Sequence, residues 1–430
     1  MIRGTPRDGL VGATLGFFVG FAAVALFGST ANKVSDLLRL APVTLGFLVA
    51  MPSLSGSLLR IPFAAWVDSA GGRKPFLVLL GISIAGMAAL TGLMFALYPT
   101  GFGPGLVPLL FLLGVLCGSG IATFSVGTAQ VSYWFPRTRQ GSALGTYAGV
   151  GNLAPGIFSF LLPVAMTQLG LAGSYLAWLI FLVLGTLLYF RLGRNAPYFQ
   201  LKAQGSNEAR ARRVAAEHGQ EMFPSGQIKD SLLRSARVSR TWLLVGIYFT
   251  TFGGFLALTS WLPIYWHAAF GVAAVAAGSL AGLYSILASL SRVAGGQLAD
   301  RLGGEKTLFL ALALMGVGAA LMTFSSLFAL SVVAEVVMAA GMGVANAAVF
   351  KLVPQAVPEA VGGASGWVGG LGAFGGFTIP PILGAIAAAQ GAAGYAAGFS
   401  LFIFLAALSL LLTFFFRQAS AARRATQQVA

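Results

Sequence analysis

The 430-residue sequence is poor in charge and nearly devoid of cysteine: Asp, Glu, Lys and Arg make up 9% of it, and Cys117 is its one cysteine. A single cysteine excludes a disulfide framework, and inside an apolar run it reads as a packing residue. The two histidines, His218 and His267, belong to no metal-ligand cluster. A nucleophile–base set and a phosphate-cradling loop on a strand–helix turn are both missing, so neither an enzyme nor a cofactor is expected. Acidic residues are scarcer still, 11 against 26 Lys and Arg, which leaves a net charge of +15. Nucleic acid is not the partner that this charge implies, because no basic stripe with interleaved aromatics lies on a soluble domain.

What the chain has in bulk is apolar residue. At 57% hydrophobic it holds more apolar surface than a water-soluble core can hide. Apolar runs of about 20 residues, each able to cross a hydrocarbon layer of roughly 30 Å as a helix, recur throughout. Twelve spans are expected, over 10–31, 40–67, 75–97, 103–133, 141–168, 172–192, 241–269, 274–298, 306–325, 327–352, 362–387 and 392–416. The first lacks the small-residue cleavage site of a secretory signal and is expected to remain as a span.

Lys and Arg of short loops stay on the cytoplasmic side. With both termini inside, Arg3, Arg7, Arg73, Lys74, Arg137, Arg139, Arg301, Lys306, Lys351, Arg417, Arg423 and Arg424 all fall there, and Lys33 and Arg39 fall outside beside Asp36. Residues 193–240 are too polar for lipid. They are expected to form a cytoplasmic linker, chiefly a solvated connector, with parts such as 206–218 suited to a surface helix whose basic face meets anionic headgroups. The linker divides the chain into an N-terminal six-helix bundle, 1–192, and a C-terminal one, 241–430, that ends in a short cytoplasmic tail.

The halves repeat one another. "SLLRIPFAAWVDSAGGRK" (57–74) aligns with "SLSRVAGGQLADRLGGEK" (289–306), which pairs Arg60 with Arg292, Asp68 with Asp300 and Lys74 with Lys306. "GSALGTYAGVGNLAPG" aligns with "GGASGWVGGLGAFGGF", which pairs Gly149 and Gly151 with Gly370 and Gly372. Span two thus corresponds to span eight and span five to span eleven, as for parallel repeats about an axis along the membrane normal.

The Asp-x-x-Gly-Gly-x-Lys loops after spans two and eight resemble the loop signature of the major facilitator superfamily of secondary transporters. The resemblance extends over nearly the whole chain. It implies two pseudo-symmetric six-helix bundles and a cytoplasmic gate in which Asp68, Arg73, Asp300 and Arg301 pair with neighbouring helix ends.

Arg60 stands eight residues before Asp68, which at about 1.5 Å per residue lifts it roughly 12 Å into the membrane. Arg292 has the same offset from Asp300 in the other half. An arginine at a helix centre costs about 2.5–3.5 kcal/mol to insert, so a pair needs a compensating partner. Glu335 is the only acidic residue well inside a span, and one acid cannot neutralise two arginines. An anion from solution is the remaining partner. Two guanidinium forks suit a small planar oxyanion, although phosphate carriers use arginine pairs as well.

The glycine-rich stretches of spans five and eleven closely resemble the paired signatures of the nitrate/nitrite porter family. "GxGN" is intact at Gly149, Gly151 and Asn152, and Gly369 to Pro380 matches the second copy. That resemblance implies that Arg60 and Arg292 bind substrate, that Asn152 bonds an anion oxygen and that Phe124 and Phe252 sandwich the planar ion. Tyr248 lies one turn before Phe252, and Phe21 is a further wall. The implied function is nitrate and nitrite transport by alternating access in the cell membrane; because the anion neutralises two cations that must approach on occlusion, exchange is expected over uniport, with a monomer in lipid as the unit. Proton symport through a group such as Glu335, a carrier of another small monoanion, an anion channel and a transporter-like sensor are the alternatives.

Overall fold

The computed structural model describes residues 2–224, 228–357 and 360–429, with the side chains of Arg137, Ile228 and residues 421–429 outside the description. Arg137, Arg423 and Arg424 of the basic pattern therefore lie outside the described side chains.

Among the described residues eleven helical stretches are long and apolar enough to span a bilayer: α1 Pro6–Ala25, α2 Pro42–Ala70, α3 Arg73–Leu97, α4 Pro104–Trp134, Thr138–Leu192, α7 Ser239–Phe270, α8 Ala274–Leu302, α9 Gly304–Phe324, α10 Phe328–Ala356, α11 Val361–Gln390 and α12 Ala392–Ser420. The count is one short of the twelve expected because Thr138–Leu192 runs for 55 residues. Gly170 breaks it at φ 69°, ψ 178°, a backbone that L side chains avoid, and so separates α5 from α6. The chain is an all-helical, multi-pass membrane protein.

Several helices are irregular at the depth of the arginines. α2 is helical to Leu58 and restarts at Arg60. Pro62 accounts for the interruption, since its ring excludes the Leu58 carbonyl four residues back and offers it no N–H. α8 holds Ala294 at the repeat-related position and is continuous from Ala274 to Leu302. Pro155 acts likewise on Gly151, and α5 breaks at Asn152. α7 contains a π-turn over Phe249–Gly253, α4 a tight 3-10 turn over Ser119–Ala122, and α11 a break at Phe374.

The first six spans meet the last six chiefly at the end remote from the Asp-x-x-Gly-Gly-x-Lys loops. There a Cβ on Gly46 would strike the backbone of Pro380 and Pro381, and one on Gly384 the backbone of Pro42, so α2 and α11 touch main chain to main chain. Gly156 meets Gly282 and Ile286, and Gly278 meets the Ser159 carbonyl, which does the same for α5 and α8. Toward the loop-signature end Gly141, Gly145, Gly296 and Gly362 have nothing within 4 Å of an added Cβ. The molecule is closed at the far end and parted at the signature end.

The linker corrects the expectation of a solvated connector. It forms helices over Pro197–Ala203, Glu208–Glu217 and Ile228–Ala236. Asn195 accepts a 2.9 Å bond from the Arg73 amide, and Phe199 packs on Tyr133, which ties its start to α3 and α4. Its end docks on α11, where Gly363 N–H donates to Ser231 and the Trp367 indole donates to the Leu232 carbonyl at 3.0 Å. Apolar and hydrogen-bonding residues scattered through a basic segment suffice to hold it down. Glu208–Glu217 is the surface helix expected over 206–218.

Candidate anion site

The interruption in α2 sets Arg60 at the start of a new helical segment, completely buried. Its Nε donates to the Gly56 carbonyl at 3.1 Å, and one terminal nitrogen donates to the Gly369 carbonyl of α11 at 3.0 Å. The other terminal nitrogen, Nη2, has no partner. Arg292, half-buried on α8, points a nitrogen at the Tyr248 hydroxyl 3.5 Å away.

The two cations share the same rings. Arg60 stands 4.9 Å from the centroid of Phe124 and 5.1 Å from that of Phe252, and Arg292 stands 5.8 and 5.7 Å from the same two. Neither pairs with a carboxylate: the ion pairs among the described residues are Arg212–Glu208 and Lys351–Asp300. Glu335 is committed elsewhere, accepting from the Trp266 indole at 2.8 Å.

The aromatic walls form a column. Phe252 stacks on Tyr248 at 4.9 Å and 6°, and on Phe21 at 6.4 Å and 14°. The π-turn places an extra residue in α7 here, which turns Phe252 inward beside Tyr248. Phe124 is held through its backbone, because Tyr147 donates to the carbonyls of Thr123 and Phe124 at 3.0 and 2.9 Å. Phe124 and Phe252 lie 6.0 Å apart and tilted by 30°. A planar ion between two faces needs a gap of about 7 Å, twice a van der Waals contact, so these rings meet with the slot closed.

The signature glycines have separate tasks. Gly149 faces Val293 beside Arg292, and Gly370 faces Ile61 beside Arg60, so each lets the opposite half approach next to an arginine. A Cβ on Gly151 would enter the Phe17 ring, and one on Gly372 would strike Tyr248. Asn152 is 2% exposed; its carbonyl accepts from Ser289 at 2.9 Å, three residues before Arg292, and its side-chain oxygen has no partner.

Two participants escaped the sequence reading. Phe350 of α10 lies 5.6 Å from Arg292 and edge-on to Tyr248 at 5.0 Å, and Phe17 packs on Phe21, Phe124 and Tyr147. With 34 phenylalanines in the chain, no local signal separates these two from packing residues.

The four residues expected at a cytoplasmic gate are apart from this site, and three of them bond within their own half. Asp68 accepts from the Tyr133 hydroxyl, Asp300 pairs with Lys351, and Arg73 donates to the Phe190 carbonyl at 2.7 Å. Arg301 is exposed.

Comparison with known proteins agrees with this architecture. The Major Facilitator Superfamily model matches residues 13–312 and 268–430. A probable nitrate/nitrite antiporter, NarK1, of Thermus thermophilus is 30% identical over 86% of this chain and 83% of its own. A probable nitrate transporter, NarT, of Staphylococcus epidermidis is 28% identical, covering 86% of both. Among solved structures, the xylose transporter XylE of E. coli superposes with a TM-score of 0.70 at 14% identity, covering 96% of this chain and 99% of that one.

Proposed function

The chain belongs to the nitrate/nitrite porter family of the major facilitator superfamily, as a transporter and not an enzyme, and from that premise we propose that it exchanges nitrate for nitrite across the cell membrane. One observation carries the reading: two guanidiniums without a carboxylate partner gather around one pair of aromatic rings. Arg60 offers its unpartnered Nη2, Arg292 offers the nitrogens not turned to Tyr248, and Asn152 turns its amide N–H2 to an anion oxygen. Phe124 and Phe252 part to admit a flat ion, a slot that favours trigonal nitrate or bent nitrite over a tetrahedral anion.

With Arg73, Lys74, Arg301 and Lys306 on the cytoplasmic side and both termini inside, the parted end faces the cytoplasm and the closed end faces outward. The bundles 1–192 and 241–430 rock about the arginines, and the linker between them, docked on both, keeps the inner ends in register. The anion neutralises the repulsion between two cations that must approach on occlusion, whereas an empty site leaves both unpaired. Reorientation therefore needs cargo, which makes exchange obligatory.

Uptake of labelled nitrate into proteoliposomes tests the mode. Vesicles loaded with nitrite take up nitrate and empty ones do not, whether or not a proton gradient is imposed. Uptake into empty vesicles that follows the proton gradient replaces exchange with symport.

A further inference from the structure

Glu335 of α10 is the only buried acidic residue among those described, at 2% exposure, and the anion site does not use it. Its Oε2 accepts from the Trp266 indole, while Oε1 has no hydrogen-bond partner. No cation pairs with it. The groups that face it are tyrosines and hydroxyls: Tyr265 of α7, whose hydroxyl is turned to Ser331 one turn before Glu335, and Tyr284 of α8. His267, next to Trp266, is exposed and directs Nδ1 to the Val272 carbonyl at 3.0 Å. The acid and base of α9, Glu305 and Lys306, stand at its opposite end.

A carboxylate in this place lacks a counter-charge and has one hydrogen bond for its two oxygens, whereas a neutral carboxylic acid needs no counter-charge, so burial here favours the protonated form. The place also lies on the far-end closure. Trp266 sits one turn after Pro263 on the outer part of α7, and that outer part meets the chain after α1 at Ser260 and Pro263, where Gly28 abuts the Ser260 backbone and Asn32 donates to the Pro263 carbonyl at 3.5 Å. Toward the centre, Tyr284 stacks on Phe255 at 6.1 Å, and Phe255 stacks on Phe252 at 5.7 Å. The outer segment of α7 is thus shared by the gate and by the sole hydrogen bond of Glu335, and a column of rings leads from it to the arginines.

We propose that Glu335 is a proton-binding site linked to the far-end gate, neutral while that end is closed and ionised when it opens. Opening moves the Trp266 segment away from the chain after α1 and admits water, which accepts the proton and solvates the carboxylate; closing takes one proton back from the same side. A state that binds the proton more tightly is favoured by acid, so low pH holds the far end shut and high pH releases it.

Spin labels on Lys33→Cys and Ala274→Cys, both exposed at the far end, in a Cys117→Ala background, read the separation directly. In lipid vesicles with saturating nitrate on both sides, between about pH 5 and about pH 9, the short-distance population of the otherwise unaltered protein falls as pH rises. Glu335→Gln, which is permanently neutral, keeps the short distance throughout, and its nitrate–nitrite exchange matches that of the unaltered protein at acid pH. A distance distribution that ignores pH, or a Glu335→Gln protein that follows pH as the parent does, overturns the proposal. Infrared spectroscopy of the unsubstituted protein at neutral pH gives a second reading that needs no folded variant. A protonated carboxyl carbonyl band that weakens at alkaline pH is expected, and its absence overturns the proposal. Loss of exchange at every pH with the distance response intact would count against the anion reading and not against this one.

Discussion

At the scale of single residues, the site depends on how each side chain is held around the arginines. Tyr248 stacks on Phe252 and meets Arg292 through its hydroxyl. Tyr248→Phe keeps the stack and removes the hydroxyl, so we expect the nitrate concentration at half-maximal counterflow to rise about threefold to tenfold, the loss of one long hydrogen bond worth about 0.5–1.5 kcal/mol, with the maximal rate little changed. Gly151→Ala drives a methyl into Phe17, which packs on three other rings of the site; exchange falls to background while the protein still inserts and purifies. Gly92→Ala, on the exposed face of α3 with open space around it, leaves exchange as it was. The arginines and the glycine pairs were legible because charge and glycine stand out in an apolar run, and Asn152 came with the glycine signature that it ends. Phe350 and Phe17 were not, because their role depends on which helices meet and not on local sequence.

At the scale of the elements the interruptions matter more than the helices. The apolar runs announced the spans, and the ends differ from expectation by a few residues. The break in α2 was written in the sequence as Pro62, four residues after Leu58, yet the aligned repeat drew attention to what the two halves share and hid that α8 lacks the proline. Pro62→Ala restores the missing N–H to the Leu58 carbonyl and fuses the two segments. The expected result is equal or higher thermal stability in detergent together with at least about tenfold slower exchange, since Arg60 no longer starts its own segment. The π-turn of α7 has no comparable signal. It forms because Gly253 and Gly375 let α7 and α11 meet main chain to main chain, a condition set by the partner helix.

At the scale of the whole molecule, the apolar runs and the internal repeat foretold the membrane fold, whereas the conformation and the docked linker were hidden. Neither could be read locally: closure at one end is a relation between two halves, and the linker is held by surfaces that exist only once the spans are assembled. Because Gly46 and Gly384 meet backbone across the closure, Gly46→Val or Gly384→Val cannot close the far end without displacing a helix. A cysteine at Asn32 should then label faster with a membrane-impermeant reagent than in the parent, and nitrite-driven nitrate uptake should fall. The central claim, that two arginines form one anion site, is tested most directly by calorimetric nitrate binding to purified protein and to the Arg60→Lys and Arg292→Lys variants. Lysine keeps the charge and loses the fork, so the account predicts at least about tenfold weaker binding in each variant; nitrate binding unchanged in both would contradict it.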